Sequence, residues 1–407
     1  MNSWNRIETW LMAIAVGIGL LATAIFGLDT YMKGTPPLHK EAAKVPSVRL
    51  STPAPRWESA VARARQAARA ALVERSLPGV SVAVGVSGEI VWAEGFGFAD
   101  LEKRTPVAPD LRFRIGTASK ALTSAAVGLL LEKGRLKLDD EIQTYVPQFP
   151  KKRWPITLRQ LMGHLSGVGN DGGDEGPLFS MHCRRPVDAL EAFAEDDLRF
   201  EPGTRYRDSS YGWILVSAAI EAASGAPFVD FMAKDVFGPL GMNATRADSA
   251  TEPIPDRVMP YFPRYGGDPR WGFHAMRDLD YSCYAGASVF LSTPSDLVRF
   301  GLAMNSGRFL KPATVELLQA SQLLPSGEET GYGLGWDLEK VTFLGRETRV
   351  VGHDGDVLGG MAASLMILRE RGIVVAVTAN ISYADTASIA LKVAEAFAEP
   401  RGSDGGR

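Results

Sequence analysis

Three stretches of the chain hold side chains whose types and spacing could carry acyl chemistry. The first is FRIGTASKAL (113–122), in which Thr117 precedes Lys120 by three positions. Residues three apart share one face of a helix, so a hydroxyl and an amine meet there. A buried amine with lowered proton affinity can take the hydroxyl proton and make the alcohol a nucleophile. A helix start also directs backbone N–H groups at the oxyanion that forms on attack. The spacing alone is weak, since a capping threonine followed by a solvated lysine gives the same pattern. Here the helix expected from Thr117 to Lys133 is apolar on most faces, so a lysine in its first turn needs an explanation. Ser119, adjacent to Lys120, should point elsewhere on the helix.

The second stretch is FEPGTRYRDSSYGWILVSAAIEAASG (200–225): a Pro-Gly turn, a polar loop and an apolar helix. Asp208, Ser209 and Ser210 would be presented at a fixed point, although helix capping alone accounts for all three residue types. The third is VVGHDGDVLGGMAASL (350–365), where one strand-like run stops at His353-Asp354-Gly355 and another starts after Gly359-Gly360. His and Asp at a strand edge, with glycines permitting close backbone approach, suit a binding rim. A hairpin turn with a surface histidine fits that segment as well.

The elements that must position these groups follow from periodicity. A helical pattern runs over 57–76. Residues 79–100 alternate and read as two antiparallel strands turning at Ser87-Gly88. The helix over 117–133 is closed by Gly134. Helical segments broken by Pro/Gly loops fill 135–285. Strand patterns return at 331–337, 347–352, 360–368 and 372–380, and a last helix covers 386–398. Strands at both ends with helices between predict an α+β body: one antiparallel sheet flanked by helices, beside a mostly helical region, with a site in the cleft between them. The glycine-rich GVGNDGG (167–173) follows a helix, not a strand. That disfavours a phosphate cradle and suggests a mobile loop at the cleft mouth.

Composition narrows the function classes. The chain has 407 residues, 45 % hydrophobic and 22 % charged, enough for a sizeable core, and a net charge of -3 with no basic stripe argues against a nucleic-acid partner. No pattern suggests a metal, nucleotide or flavin cofactor. Cys183 and Cys283 lie far apart, and two unpaired buried thiols are the favoured reading; a single disulfide requires an oxidising compartment. Residues 10–28, WLMAIAVGIGLLATAIFGL, carry no charge over a length that suits a membrane span. Ala22-Thr23-Ala24 offers a competing signal-peptidase site. An uncleaved anchor is favoured, with the body in the periplasm or another extracytoplasmic space, or secreted if cleavage occurs. Lys33, Lys40 and Lys44 outnumber Arg6 and run against that orientation. The expected division is an anchor or signal segment at 1–33, a Pro-rich linker at 34–56, the body at 57–398 and a loose tail at 399–407.

Taken together, the three stretches and their flanking words resemble the serine β-lactamase and penicillin-binding protein family. The resemblance is closest to its class C, DD-peptidase and esterase branch with the mitochondrial β-lactamase-like proteins. The words are LLLEKGRLKLDDEIQTYVPQFP, ITLRQLMGHLSGV, FEPGTRY, GWILVSAAIE, PLGM and STPSDLVRFGLAM, and the likeness spans about 57–398. It implies a hydrolase acting through an acyl-enzyme on a small peptide, ester or amide substrate. Thr117 stands where the family has its acylated serine, Lys120 is the matching lysine, and Asp208 replaces a proton-shuttling tyrosine. Ser210 sits where Asn, Ser or Thr is usual, and His353-Asp354-Gly355 forms the third box. The backbone N–H groups of Thr117 and Asp356 would form the oxyanion hole.

Two departures matter. Threonine adds a methyl that restricts χ1 and crowds the attacked carbonyl. A carboxylate of reference pKa ~4 is a far weaker base than a phenolate of ~10, and beside Lys120 it would lock as an ion pair that keeps the lysine protonated. The first expectation is therefore a hydrolase with Thr117 as nucleophile, Lys120 as base, and Asp208 and His353 orienting or shuttling protons. The alternative is a non-catalytic binding or scaffolding module in the same cleft. A third reading is an active enzyme altered at 117 and 208.

Overall fold

The structure is a computed structural model that describes residues 14–27, 37–170, 177–357 and 359–398. The alternating runs become the strands of one large antiparallel sheet. In chain order these are β1 (Ser47–Arg49), β2 (Gly79–Val86), β3 (Glu89–Asp100), β4 (Asp337–Phe343), β5 (Arg346–Val357), β6 (Met361–Leu368) and β7 (Ile373–Ala379). Their spatial order is β1-β3-β2-β7-β6-β5-β4, with the short strand Thr105–Pro106 added to β3. Ser87 and Gly88 both take positive φ, which suits the tight turn joining β2 to β3. The pairing of β2 with β7, from Val80↔Ala379 to Val86↔Ile373, joins the first third of the chain to the last.

Both faces of the sheet are covered, which explains why β7 reads as a continuous apolar run. Ile373, Val375 and Val377 face a core shared with α1 (Glu58–Arg75) and α6 (Thr386–Ala398). Val374 and Ala376 face the opposite core, built on α2 (Ser119–Glu132), α4 (Ser210–Ser224) and α5 (Pro294–Ser306). Every residue of α2 from Ser119 to Gly128 is buried. Its end is closed at Gly134, which takes positive φ and donates to the Leu131 carbonyl, while Arg135 N–H donates to Leu130. The α+β architecture expected from the sequence is the one found.

Three expectations need correction or limits. Residues 331–336 are not a strand; the strand starts at Asp337. Gly331 and Gly335 take positive φ, and a Cβ on Gly335 would lie 2.6 Å from the Trp213 ring, so the chain turns inward here and buries Tyr332 and Trp336. Cys183 and Cys283 are not free thiols: they form a disulfide across a sequence separation of 100. Packing of Phe179 on Tyr281 and Tyr284 brings the two segments together, and sequence distance carries no sign of it. The apolar N-terminal stretch contains an exposed helix, Ile14–Gly27, but 10–13 and 28 lie outside the described residues. Among the described residues no single helix is long and apolar enough to cross a membrane. Part of the Pro-rich segment packs on the body, with β1 paired to β3 and His39 and Val45 buried. Residues 171–173 of the expected loop 167–173, and the tail from 399, fall outside the described residues.

Candidate active site

The first wall of the site is the turn leading into α2. Strand Phe113–Arg114 pairs with Phe290–Ser292, and a single 3-10 turn, Gly116–Ala118, then carries Thr117 to the start of the helix. Gly116 makes this turn with φ of 53°. Arg114, almost fully buried, pins the approach: its Nε donates to Asp248 Oδ2 at 2.6 Å and its Nη1 to the Gly359 carbonyl at 3.2 Å. Strand β5 lies directly against the turn. A Cβ on Gly355 would fall 2.0 Å from the Ile115 carbonyl oxygen and 2.8 Å from the Ala118 nitrogen, so only glycine allows this approach. The contact brings Thr117 Oγ1 within 3.1 Å of the Asp354 carbonyl, to which it donates. The hydroxyl proton therefore points at a backbone oxygen and not at the lysine.

The second wall comes from α4. Ser209 is its N-cap, accepting the Gly212 N–H at 3.0 Å, and Ser210 is its first residue. The capping role and the site role are thus divided among neighbours, because Asp208, just outside the cap, turns toward α2. Lys120, its side chain 1 % exposed, meets Asp208 Oδ2 at 2.7 Å. This is the ion pair expected from a carboxylate in place of a phenol.

A residue the sequence reading missed completes this group. His164 follows the short helix α3 (Leu158–Met162), with φ of 60° and a fully buried ring. Its Nδ1 accepts the Ser209 N–H at 3.0 Å, which puts the ring proton on Nε2, and Nε2 donates to Asp208 Oδ2 at 2.9 Å. Lys120 Nζ lies 3.4 Å from the same nitrogen. Burial first, then the Lys120 charge, pushes the His164 imidazole down to about 4, so it is neutral near pH 7. Loss of solvent alone would raise the Asp208 carboxyl, but Lys120 and the His164 N–H hold it well below the usual carboxylate range.

The third box supplies the remaining wall. His353 Nδ1 donates to the Asp354 carbonyl at 2.6 Å, and in the neutral ring Nε2 accepts from the Tyr332 hydroxyl at 3.0 Å. Asp337 Oδ2 accepts the Asp354 N–H at 3.1 Å and lies 3.5 Å from His353 Nδ1. Burial pushes the Tyr332 phenol well above its ordinary value. Tyr332 and Tyr206 flank the His164 ring at 4.7 and 5.9 Å. Desolvation, then the charges of Asp337 and Glu339, push the Asp354 carboxyl up to about 6. Residue parity along β5 puts His353 and Gly355 on the face toward Thr117, and the Asp354 and Asp356 side chains on the other; Asp356 Oδ2 accepts the Tyr383 N–H at 2.7 Å.

Thr117, Lys120, Asp208, His353, Gly355 and the Asp354 carbonyl therefore come together from separate elements. Ser210 is placed only as the first residue of α4, and the Asp354 and Asp356 side chains, expected at the substrate, lie on the other face of β5. Ser119 is buried, and its hydroxyl has no hydrogen-bond partner among the described residues. The additional members are His164, Tyr206, Tyr332 and Asp337. His164 sits inside ITLRQLMGHLSGV, and a polar ring amid apolar residues was its only signal.

Comparison with known proteins agrees with this fold. Residues 61–398 match the family described as Beta-lactamase. Serine beta-lactamase-like protein LACTB, mitochondrial, of Homo sapiens is 28% identical over 458 residues, covering 86% of this chain and 82% of that protein. Penicillin-binding protein 4* of Bacillus subtilis is 29% identical over 300 residues, covering 71% of this chain and 64% of that one. Among solved structures, the octameric penicillin-binding protein homologue from Pyrococcus abyssi superposes with a TM-score of 0.69 at 27% identity, over 81% of this chain and 76% of that chain.

Proposed function

This chain belongs to the Beta-lactamase family, and from that premise we propose that its cleft binds an acyl compound (a peptide, ester or amide) while acylation is arrested. The observation that carries this reading is the shared contact of Asp208 Oδ2 with Lys120 Nζ at 2.7 Å and His164 Nε2 at 2.9 Å.

Acylation requires the hydroxyl proton to leave as the oxygen attacks the carbonyl carbon. An ammonium held by a carboxylate accepts no proton. Asp208, far below its ordinary value, is too weak a base to substitute. His164 cannot receive one either, because Nδ1 faces the Ser209 N–H and Nε2 already carries its proton. The Thr117 methyl adds a steric cost at the attacked centre. What remains is a binding frame: the backbone N–H groups of Thr117 and Asp356 as oxyanion donors, with Ser210 and the third box orienting the ligand.

The second reading is a working hydrolase, with Thr117 as nucleophile, Lys120 as base and Asp208 plus His353 as proton carriers. It draws support from the retention of a hydroxyl in the turn before α2 and an amine in the first turn of that helix, three residues apart. Mass spectrometry after incubation with a fluorophosphonate or a penicillin separates the two. The arrested cleft gives no adduct on Thr117 in the native chain, and gives one at residue 117 when Thr117→Ser is combined with Asp208→Tyr. An adduct on native Thr117 favours the hydrolase; an unlabelled double variant removes the arrested reading.

In the same proposal, 57–398 is the acyl-binding domain, and 10–28 tethers it to a membrane with the body outside the cytoplasm. The apolar exposed helix Ile14–Gly27 and the Cys183–Cys283 disulfide support that placement. Protease digestion of sealed cells or spheroplasts tests it: a body cleaved only after lysis would place it inside.

A further inference from the structure

One end of the large sheet carries both the entry of the anchor segment and an exposed aromatic cluster. Ten chain steps separate Gly27, the last residue of the apolar helix, from Pro37, where the described body begins. They reach at most about 35 Å, less than the roughly 50 Å breadth of a domain this size. The end of the body at which Pro37 enters is therefore the end held nearest the anchor. His39 fixes that end: its ring stacks on Phe98 at 6.0 Å and its Nε2 donates to the Leu77 carbonyl at 3.1 Å. Asn380 Nδ2 bridges the Phe98 and Met259 carbonyls at 3.0 and 3.1 Å, and the Tyr261 N–H donates to the Asn380 carbonyl at 2.9 Å.

Tyr261 begins a hairpin in which Tyr261–Pro263 pairs with Phe273–Ala275. Its connection turns at Gly266 and Gly267, both with positive φ. A Cβ on Gly266 would lie 3.1 Å from the Trp271 ring, and one on Gly267 would lie 3.2 Å from the Tyr383 ring, so the bare turn seats both rings. Trp271, Tyr265 and Tyr383 are nonetheless 37, 41 and 48 % exposed. Trp and Tyr favour the headgroup layer of a membrane, which accommodates an apolar body with a polar tip. The charges nearby suit an anionic layer. Arg264 and Arg277 flank the hairpin; Lys40 follows His39, and Arg104 lies over the Phe98 ring at 5.0 Å. All four are exposed, and none pairs with a carboxylate among the described residues. Asp100, Asp268 and Asp385 are paired with Lys103, Arg270 and Arg75, while Glu102, exposed and likewise unpaired, opposes the four cations.

Resting on the membrane-anchor reading above, we propose that the 261–275 hairpin docks on an anionic bilayer, the one that holds the anchor, with Tyr265, Trp271 and Tyr383 in the headgroup layer. The Tyr383 N–H also donates to Asp356 Oδ2 on β5 at 2.7 Å, so docking fixes the third-box strand and its cleft relative to the membrane.

The test uses the full-length chain in phosphatidylcholine vesicles, with or without phosphatidylglycerol, and a phosphatidylcholine spin-labelled at its headgroup as quencher. The native cysteines are joined in the disulfide, so a cysteine added by Tyr265→Cys, or by Glu89→Cys at the opposite end of the sheet, takes a bimane label selectively. The quencher should act on the label at 265 and spare that at 89, and should act more strongly when phosphatidylglycerol is present. A cation near an anionic surface is worth about fivefold in a binding ratio, so Arg264→Gln with Arg277→Gln should lower the docked-to-undocked ratio about 25-fold. Equal quenching at 265 and 89 overturns the proposal, and so does quenching at 265 that ignores both phosphatidylglycerol and the double variant. A shifted emission at 265 without quenching marks contact with a second copy and also overturns it. A chain that does not float with the vesicles removes the anchor reading and this one together; a chain that floats with 265 unquenched removes this one alone.

Discussion

The buried His164 should make part of the protein's stability depend on pH, with a sign and size that follow from its surroundings. In the unfolded chain the ring takes a proton near pH 6.5; in the folded protein it resists until about 4. Between these values the unfolded state binds more protons, so stability present above pH 6.5 is lost as the pH falls toward 4. At ~1.4 kcal/mol per pH unit across this gap, the loss is on the order of 3 kcal/mol. Asp354 works in the opposite direction. Its folded carboxyl is raised to about 6, so it contributes stability at low pH that fades as pH rises through that value, and the native curve alone understates the histidine. The comparison must therefore be made with His164→Gln, whose amide can accept from Ser209 and donate to Asp208 without titrating. Urea unfolding midpoints from pH 4.5 to 7, followed by tryptophan fluorescence, should fall more steeply toward acid for the native chain than for the variant. Parallel curves would refute the assignment of a neutral, locked ring, whatever the absolute stability of the variant.

Other perturbations probe the remaining contacts. Gly355→Ala should destabilise by about 1–3 kcal/mol through overpacking, because its Cβ would sit 2.0 Å from the Ile115 oxygen; a melting temperature equal to native sinks this. The same change should abolish labelling of the Thr117→Ser, Asp208→Tyr variant by separating β5 from the turn. Asp248→Ala leaves Arg114 buried beside one fewer carboxylate and should cost about 3–5 kcal/mol, read as a lowered urea midpoint; no change would mean that Asp278 alone balances it. Cys183→Ser should cost about 2–5 kcal/mol, seen as a lower unfolding midpoint that matches the reduced native chain, and a midpoint unaffected by reductant contradicts it.

Much of the frame was readable in the chain because its signals are local. The β2–β3 hairpin announces itself through alternation around Ser87-Gly88, and α2 through an apolar run ended by Gly134. The Lys120–Asp208 pair follows from charge alone once a carboxylate stands where a phenol is expected. What stayed hidden depends on distant packing or on unusual backbone. His164 reaches Asp208 only because it adopts a left-handed conformation after Gly163, which nothing about histidine signals. Tyr332 reaches His353 because Gly331 and Gly335 divert a segment whose composition imitates a strand. The disulfide depends on two loops meeting through aromatic packing, so residue spacing carried no trace of it.

The β2–β7 pairing has a consequence for biogenesis. While the chain is being synthesised, β2 emerges roughly three hundred residues before the strand that will cover its edge. Until Ile373–Ala379 has left the ribosome, the valine-rich ladder of Gly79–Val86 remains open on one side, a template for pairing with other nascent chains. Closure of the sheet must then wait for that strand, and His353 can meet Thr117 only at that last step. Chaperones or a secretion channel that keeps the polypeptide extended would guard this interval, and a stop codon ahead of Ile373 should yield aggregates in place of a shortened but folded product.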